Sequence, residues 1–315
     1  MNTPDLYHVK PQFTLGAYKA VSELALPDAS DPAYTTFLFY KTRAQIALGE
    51  AHAAEALIPE ETDSYVLKAV RGLAHYASAT ADGEGDGDAV LEELRDLCVE
   101  IDSEEALSEA EKWQVRVLAG TAFARASEVE EALETLGVGS NTESLEAISL
   151  VVQIYLSIAR PDLAKKEYTQ ALKWAEDDLL LQSIEAALGL ATGSDGYANS
   201  AAFYTEQLGN PSLSSSHLLA SRGVARLLRG EVSEAKSDLE EVLRSDNGDE
   251  EALCASVVAA GLGANKKGEA EELFSQLSSK YPTNPLVREV LEKSSLFDEA
   301  ATKFEVPPLA VPTRA

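Results

Sequence analysis

A small residue recurs at a nearly constant interval through the second half of this 315-residue chain. The five positions, separated by 32, 36, 35 and 35 residues, are Ala132, Ala164, Ser200, Ala235 and Ala270. Each stands near the start of a helical segment that follows another helical segment after a short turn. Two antiparallel helices approach closely only where their facing side chains are small. The interval therefore predicts a row of similar helix pairs, each about 34 residues long.

Glycines mark the other places where such a helix pair would be tight. The segment RGVARLLRGEVSEAKSDLEEVL has Gly223 at the expected contact between helices and Gly230 at the expected turn. This arrangement resembles the tetratricopeptide repeat, in which neighbouring pairs stack to bury a core that no pair can bury alone. We therefore predict an all-α fold, a tetratricopeptide-like α-solenoid: a superhelix of antiparallel helix pairs, curved towards a partial ring.

Two features predict where second helices begin. Ser127 and Glu130 have the spacing of a capping box, in which each side chain accepts a hydrogen bond from the other residue's backbone N–H. Pro161 suits the first turn of a helix, because its missing N–H would be unpaired there anyway. Both predict a helix start just after a turn.

The repeats also set the expected domain boundaries. A run of three glycines in five residues after Asp82 interrupts any helix, and prolines near the C-terminus prevent a further one. The expected parts are a solenoid over 1–304, with an irregular part at 1–107, a flexible acidic loop at 82–88, regular repeats at 108–282 and a terminal capping helix at 284–304, followed by a disordered Pro-rich tail at 305–315.

The charge balance argues against two classes of partner. With 26 Lys and Arg against 53 Asp and Glu, the formal charge is −27, and such a field repels phosphate backbones and anionic lipid headgroups. We expect no nucleic-acid binding and no membrane insertion. The sequence shows neither a secretory signal nor a run of about 18 apolar residues, and Cys98 and Cys254 lack a metal or redox spacing. These features predict a cytoplasmic protein.

Candidate chemical sites are few. Asp82, Glu84, Asp86, Gly87 and Glu93 match positions 1, 3, 5, 6 and 12 of a calcium loop, but Glu replaces the usual Asp or Asn at position 3. A flexible acidic linker explains the same residues by composition alone and is the preferred interpretation. The four histidines are dispersed, and the sequence has no phosphate loop or nucleophile elbow. We expect no enzymatic activity, no cofactor and no metal.

The first helix of each pair lines the concave side of such a solenoid, where ligands bind. Counting back from the small residues places mostly neutral or apolar side chains there, which suits an apolar or extended ligand. Phe39, Val117 and Leu227 are the expected anchors. The predicted partner-binding residues are Phe39, Arg43, Ile46, Gln114, Val117, Thr121, Ser149, Gln153, Leu156, Gln182, Glu185, His217, Val224 and Leu227.

Four sequence blocks, in order along nearly the whole chain, resemble the epsilon subunit family of coatomer, the coat of Golgi-to-endoplasmic-reticulum vesicles. They are FTLGAYKAVSE, FLFYKTRAQIALGE, YVLKAVRGLAHY and KYPTNPLVREVLEKSSLFDEAATKF. The last is the most specific, since a Pro-x-Asn-Pro start leads into a helix carrying Phe297, Asp298 and Phe304.

This resemblance implies a non-enzymatic structural subunit of the coat that acts in retrograde Golgi-to-ER and intra-Golgi transport. The implied partner is the C-terminal domain of the alpha subunit of coatomer, which the chain would bind and stabilise within the heteromeric complex. The implied location is the cytoplasm, with peripheral attachment to Golgi membranes and coated vesicles through that complex.

A second interpretation stays open at this point. A general tetratricopeptide adaptor or co-chaperone would bind peptide segments of cytosolic partners on the same concave face. The best-known clamp of this type needs converging Lys and Asn side chains to hold an acidic carboxyl terminus. The predicted concave face has no such set, which favours the coat subunit.

Overall fold

The computed structural model describes residues 6–59, 61–82, 87–140, 142–245, 249–262 and 268–304. These residues form seventeen α-helices and no β-strand, which confirms the predicted all-α class. The helices are α1 (Leu6–Thr14), α2 (Tyr18–Ser22), α3 (Tyr34–Ala47), α4 (Ala51–Leu57), α5 (Tyr65–Asp82), α6 (Gly87–Ser103), α7 (Glu109–Arg125), α8 (Val129–Thr135), α9 (Leu145–Ser157), α10 (Pro161–Ala175), α11 (Leu179–Thr192), α12 (Ser194–Leu208), α13 (Ser216–Leu228), α14 (Val232–Ser245), α15 (Glu250–Leu262), α16 (Glu269–Lys280) and α17 (Pro285–Ala301).

The chain divides into two compact units. Unit 1 is Met1–Arg229 and contains α1 to α13, whereas unit 2 is Gly230–Ala315 and contains α14 to α17. The division lies inside the predicted regular repeats at 108–282, between two helices that the repeat pattern pairs. One continuous solenoid over 1–304 therefore stays a prediction.

Unit 1 is built from helix pairs whose first helices form a wall. Consecutive helices pack together in α3 and α4, α5 and α6, α7 and α8, α9 and α10, and α11 and α12. The first helices also pack on one another in the order α3, α5, α7, α9, α11. This double set of contacts is the packing that a tetratricopeptide-like stack requires.

The small residues that defined the repeat lie in the tight contacts. Ala132, Ala164, Ser200 and Ala235 are fully buried, each with 0% exposure, and Ala270 is half-buried. A larger side chain at any of the four buried positions would push its helix away from its neighbour. The steric reason inferred from the sequence is thus confirmed at Ala132, Ala164 and Ser200, whose helices α8, α10 and α12 pack on α7, α9 and α11.

Helix α11 approaches α12 closely at Gly189. A Cβ atom on Gly189 would lie 2.5 Å from Ser200 Oγ and 2.9 Å from the carbonyl oxygen of Gly196. The Ser200 hydroxyl donates across this contact to the carbonyl oxygen of Ala186 at 2.8 Å. Because one of the obstructing atoms is backbone, only glycine allows this separation of the two helices.

The capping box predicted at Ser127 and Glu130 is wrong. Helix α8 begins after Glu128, which makes no side-chain cap, and Ser127 has φ 65°, a left-handed turn conformation. An N-cap residue needs extended backbone instead. A complete capping box occurs at the start of α7, between Ser108 and Glu111.

Prolines begin two helices as expected. Pro161 occupies the first turn of α10, and Pro285 that of α17. The Asn284 side chain caps α17 by accepting from the Leu286 N–H at 2.9 Å and donating to Glu250 Oε1 at 2.8 Å. This buried asparagine therefore ties the predicted capping helix to α15 within unit 2.

Unit 2 has buried apolar residues of its own. Leu253, Leu277 and Val287 form one buried cluster in it. Beyond Val287, helix α17 and the turn that follows it leave large apolar side chains exposed, with Phe297 at 72% and Phe304 at 74%. Core packing therefore does not explain why Phe297 and Phe304 occur in the C-terminal sequence block, which is the most specific part of the resemblance.

Two expected segments fall partly or wholly outside the described residues. Residues 83–86 of the acidic loop and the tail at 305–315 are not described, so Glu84 and Asp86 of the calcium-loop match have no assigned geometry. In the part of the chain that is described, no three His, Cys, Asp or Glu side chains group closely enough to hold a metal ion. None of the described helices is both long and apolar enough to cross a bilayer.

We predict that Gly189→Ala destabilises unit 1 by about 1–3 kcal/mol, the usual cost of overpacking. Gly261→Ala is the matched control: it is also a helix substitution, its Cβ would meet nothing within 4 Å, and it should be neutral or stabilise by up to about 1 kcal/mol. Urea unfolding with hydrogen exchange at α11 and α12 measures both. Equal effects of the two substitutions would contradict the close-approach argument.

Candidate partner-binding groove

The inner groove is the face of unit 1 formed by the first helices α3, α7, α9 and α11. It contains a cleft of about 290 Å³, which is lined by residues from these helices, by Leu73 of α5 and by the N-terminal segment. The predicted partner-binding residues that line this cleft are Arg43, Ile46, Val117, Thr121, Ser149 and Gln153. Six of the fourteen residues that were predicted from sequence spacing therefore line one cleft.

A second cleft of about 540 Å³ continues the inner groove. It contains Gln114 of the predicted set, together with Lys10 from α1 and Tyr40 from α3. The two clefts share Val117, Glu146 and Leu180. They are therefore neighbouring parts of one surface.

Arg43 is one of the charged residues that line this surface. Its Nη1 donates to Glu146 Oε2 at 2.8 Å, which joins α3 to α9. Its guanidinium carbon also lies 4.5 Å from the ring centroid of Phe13 and 4.7 Å from that of Phe39. Both contacts have cation–π geometry. The guanidinium is therefore paired with Glu146 and stacked on two aromatic rings.

Tyr40 adds no charge to the groove at neutral pH. Burial, and secondly the negative charge of Glu146, raise the pKa of its phenol to about 12. Its ring lies 5.4 Å from that of Phe13 and 5.2 Å from that of Phe39. The region around Arg43 is therefore an aromatic cluster with one internal ion pair.

Residues 9–17, here called the N-terminal strap, lie across the inner groove. Val9 belongs to the large hydrophobic cluster that runs from α3 to α11. Leu15, only 2% exposed, belongs to a second cluster with Tyr204 and Leu218. The strap thus carries one buried residue into each of two clusters of unit 1.

Polar and backbone contacts hold the far end of the strap beside α13. Gln12 Nε2 donates to the carbonyl oxygen of Ser212 at 3.0 Å, and Ser215 Oγ donates to that of Leu15 at 3.0 Å. Gly16 has φ +72°, and a Cβ there would lie only 2.6–2.9 Å from the His217 side chain. Residues 200 positions apart therefore meet at this end.

Burial separates the predicted residues into groups. Phe39, Ile46 and Val117 are buried at 2–5% exposure, so they support the groove from below. Arg43 is half-buried, and the other ten predicted residues are exposed or half-exposed. Exposed members are Gln153, Gln182, Glu185 and His217, and half-exposed members are Gln114, Thr121, Ser149, Leu156, Val224 and Leu227. Contact of any of the fourteen with a partner stays a prediction.

Sequence reasoning missed the strap. A signal for it exists, because Leu6, Val9 and Phe13 follow the spacing of one helix face. Pro11 inside the same segment argues against a helix, and α1 forms around it nevertheless. The intervals of the repeat pattern also contain nothing about a segment that lies outside the repeats.

Comparison with known proteins decides the family. A family model described as the coatomer epsilon subunit matches residues 2–305. The chain belongs to the coatomer epsilon subunit family. It is therefore a component of the heteromeric, cytoplasmic coatomer coat, with a structural role and no enzymatic one.

Relatives of this family member match it over nearly their whole length. Coatomer subunit epsilon-1 of Arabidopsis thaliana is 28% identical over 96% of this chain and 99% of its own length. The probable coatomer subunit epsilon of Schizosaccharomyces pombe is 25% identical over 95% of both chains. The chain thus spans nearly the full length of these relatives.

Solved structures support the fold of this coatomer epsilon subunit family member. A tetratricopeptide repeat protein from Parabacteroides merdae has a TM-score of 0.55 at 15% identity, and the match covers 81% of this chain and 96% of that one. A chain of the APC/C hetero-tetramer Cut9–Hcn1 has a TM-score of 0.58 at 13% identity, covering 90% and 53%. At such identities the likeness shows the fold alone, and it confirms a tetratricopeptide-like α-solenoid.

We predict that Arg43→Lys lowers the free energy of unfolding of unit 1 by about 1 kcal/mol, because lysine keeps the charge but loses the planar stacking on two rings. Arg160→Lys is the matched control, since Arg160 pairs with Asp162 at an exposed site, where such a change stays within about 0.5 kcal/mol. Chemical denaturation of both variants checks this. An Arg43→Lys effect no larger than that of the control would mean that the stacking adds nothing.

Proposed function

We propose that the chain binds and stabilises the C-terminal domain of the coatomer alpha subunit, using the inner groove of unit 1. In this role it would serve retrograde Golgi-to-ER and intra-Golgi transport, attached to Golgi membranes and coated vesicles through the complex. The observation that carries the proposal is the family match over residues 2–305. The groove is the surface of the fold that is best suited to a long partner segment.

The chemistry of the groove supports an apolar or backbone-rich ligand. The chain has a formal charge of −27, yet the accessible predicted residues in the two clefts, Gln114, Thr121, Ser149 and Gln153, are neutral. Glu146 pairs with the cationic side chain among them, Arg43. The charged residues that line the 290 Å³ cleft are Arg43, Arg125 and Glu146, whereas the 540 Å³ cleft is lined by Lys10 and by the carboxylates of Glu109, Glu143, Glu146 and Asp178. A segment that enters the smaller cleft therefore needs no strong positive charge, and its main-chain groups can bond to amide and hydroxyl side chains.

Five of the predicted apolar residues divide into two proposed roles. Leu156, Val224 and Leu227 are half-exposed and are the proposed apolar contacts at the surface. Phe39 and Val117 lie beneath and would keep the groove in shape. A partner that follows several first helices would bury an area at or above the roughly 1,600 Å² of a standard interface.

We predict that Gln153→Arg weakens binding of the alpha C-terminal domain at least about tenfold, because a long cation would fill the cleft and lose solvation there. Gln170→Arg is the matched control, since Gln170 is also exposed but lies on α10, the second helix of its pair. Titration of the purified domain by calorimetry measures both affinities.

Equal affinities of the two arginine variants would contradict use of the inner groove. A pull-down from cytosol at physiological and high salt, read by mass spectrometry, tests the partner itself. We expect the alpha subunit to be retained at high salt, because an apolar interface is screened little. Recovery of chaperones or salt-labile proteins alone would instead support a general adaptor.

A further inference from the structure

We propose that the N-terminal strap is a displaceable occupant of the inner groove, which competes with the partner segment for the same surface. This inference rests on the proposed function, because it takes the inner groove as the partner site. It adds a regulatory step to that function. The strap must leave its place before a partner segment can contact the groove fully.

The strap and a partner segment would need the same contacts. Phe13 and Thr14 of the strap line the same cleft as Thr121 and Gln153. The Phe13 ring already covers the Arg43 guanidinium at 4.5 Å. An aromatic or apolar side chain of a partner can stack on this guanidinium only where Phe13 now lies.

The strap is also less firmly held than the wall behind it. Helix α1 has nine residues and contains Pro11, so it lacks a helical hydrogen bond, and helices of this length are marginal on their own. It depends on the groove for its structure, whereas the wall helices have 13–18 residues and pack on neighbours on both sides. Undocking of the strap therefore costs less than opening of the wall.

Gly16 is the position through which the strap can be released selectively. Its φ of +72° favours glycine, and an added Cβ would lie 2.9 Å from the Cβ of His217, an atom that side-chain rotation does not move. Gly49 has a similar φ of +79°, but a Cβ there would meet nothing within 4 Å. Alanine at the two positions thus causes similar backbone strain, and only Gly16→Ala forces the strap away from α13.

The experiment compares full-length Gly16→Ala with full-length Gly49→Ala. Hydrogen exchange of residues 9–17, without any partner, reports release of the strap. Titrations with the purified alpha C-terminal domain and with a labelled peptide of residues 6–17 report access to the groove. We expect Gly16→Ala to speed exchange in the strap and to bind both ligands about tenfold more tightly than Gly49→Ala, since affinity scales with the open fraction.

Three other outcomes are informative. Faster exchange with unchanged or weaker binding of both ligands would overturn the proposal, because the strap would then be part of the site. Tighter binding of the peptide with no binding of the alpha domain by any variant would support competition and reject the alpha subunit as partner. If exchange is unchanged in Gly16→Ala, Leu15→Ala offers a second route, and failure of both to release the strap would also overturn the proposal.

Discussion

The close crossing of paired helices at small residues is the constraint on which unit 1 depends. Gly189 and Ser200 let α11 and α12 approach until a single added methyl group would meet backbone, and Ala132 and Ala164 are buried without any exposure. Because the pairs are thin, their first helices can also touch one another and form a wall. The inner groove is one face of that wall, so the spacing of alanine and glycine along the chain decides where the groove forms.

Charged side chains have two separate effects, one inside the molecule and one at its surface. Several of the few cations tie helices together inside the molecule: Arg95 donates to Glu131 at 2.6 Å and to Glu128 at 2.6 Å, joining α6 to α8. Arg43 joins α3 to α9 in the same way. With these cations paired inside the molecule, the outer surface is left acidic, while the 290 Å³ cleft of the groove is lined mainly by neutral side chains. The acidity therefore disfavours contact with phosphates and anionic lipids but does not by itself repel a neutral partner segment.

The sequence predicted the helical class, the repeat and six residues that line one cleft, because each of these follows from a local period. It did not predict the strap, since the pairing of Leu15 with Leu218 joins positions about 200 residues apart and leaves no periodic trace. The capping box at Ser127 failed for a related reason. Its spacing was right, but the tight turn gave Ser127 a positive φ, which spacing alone does not determine.

The strap and the wall differ in the origin of their stability, and this difference bears on function. A wall helix such as α7 has a capping box and packs on both neighbours, so its structure does not depend on whatever fills the groove. Helix α1 has a proline in its interior, and its order comes from Val9, Phe13 and Leu15, which rest on other helices. A ligand that took those contacts would remove the reason for α1 to stay folded in place. Occupation of the groove and order of the N-terminal segment are therefore physically coupled.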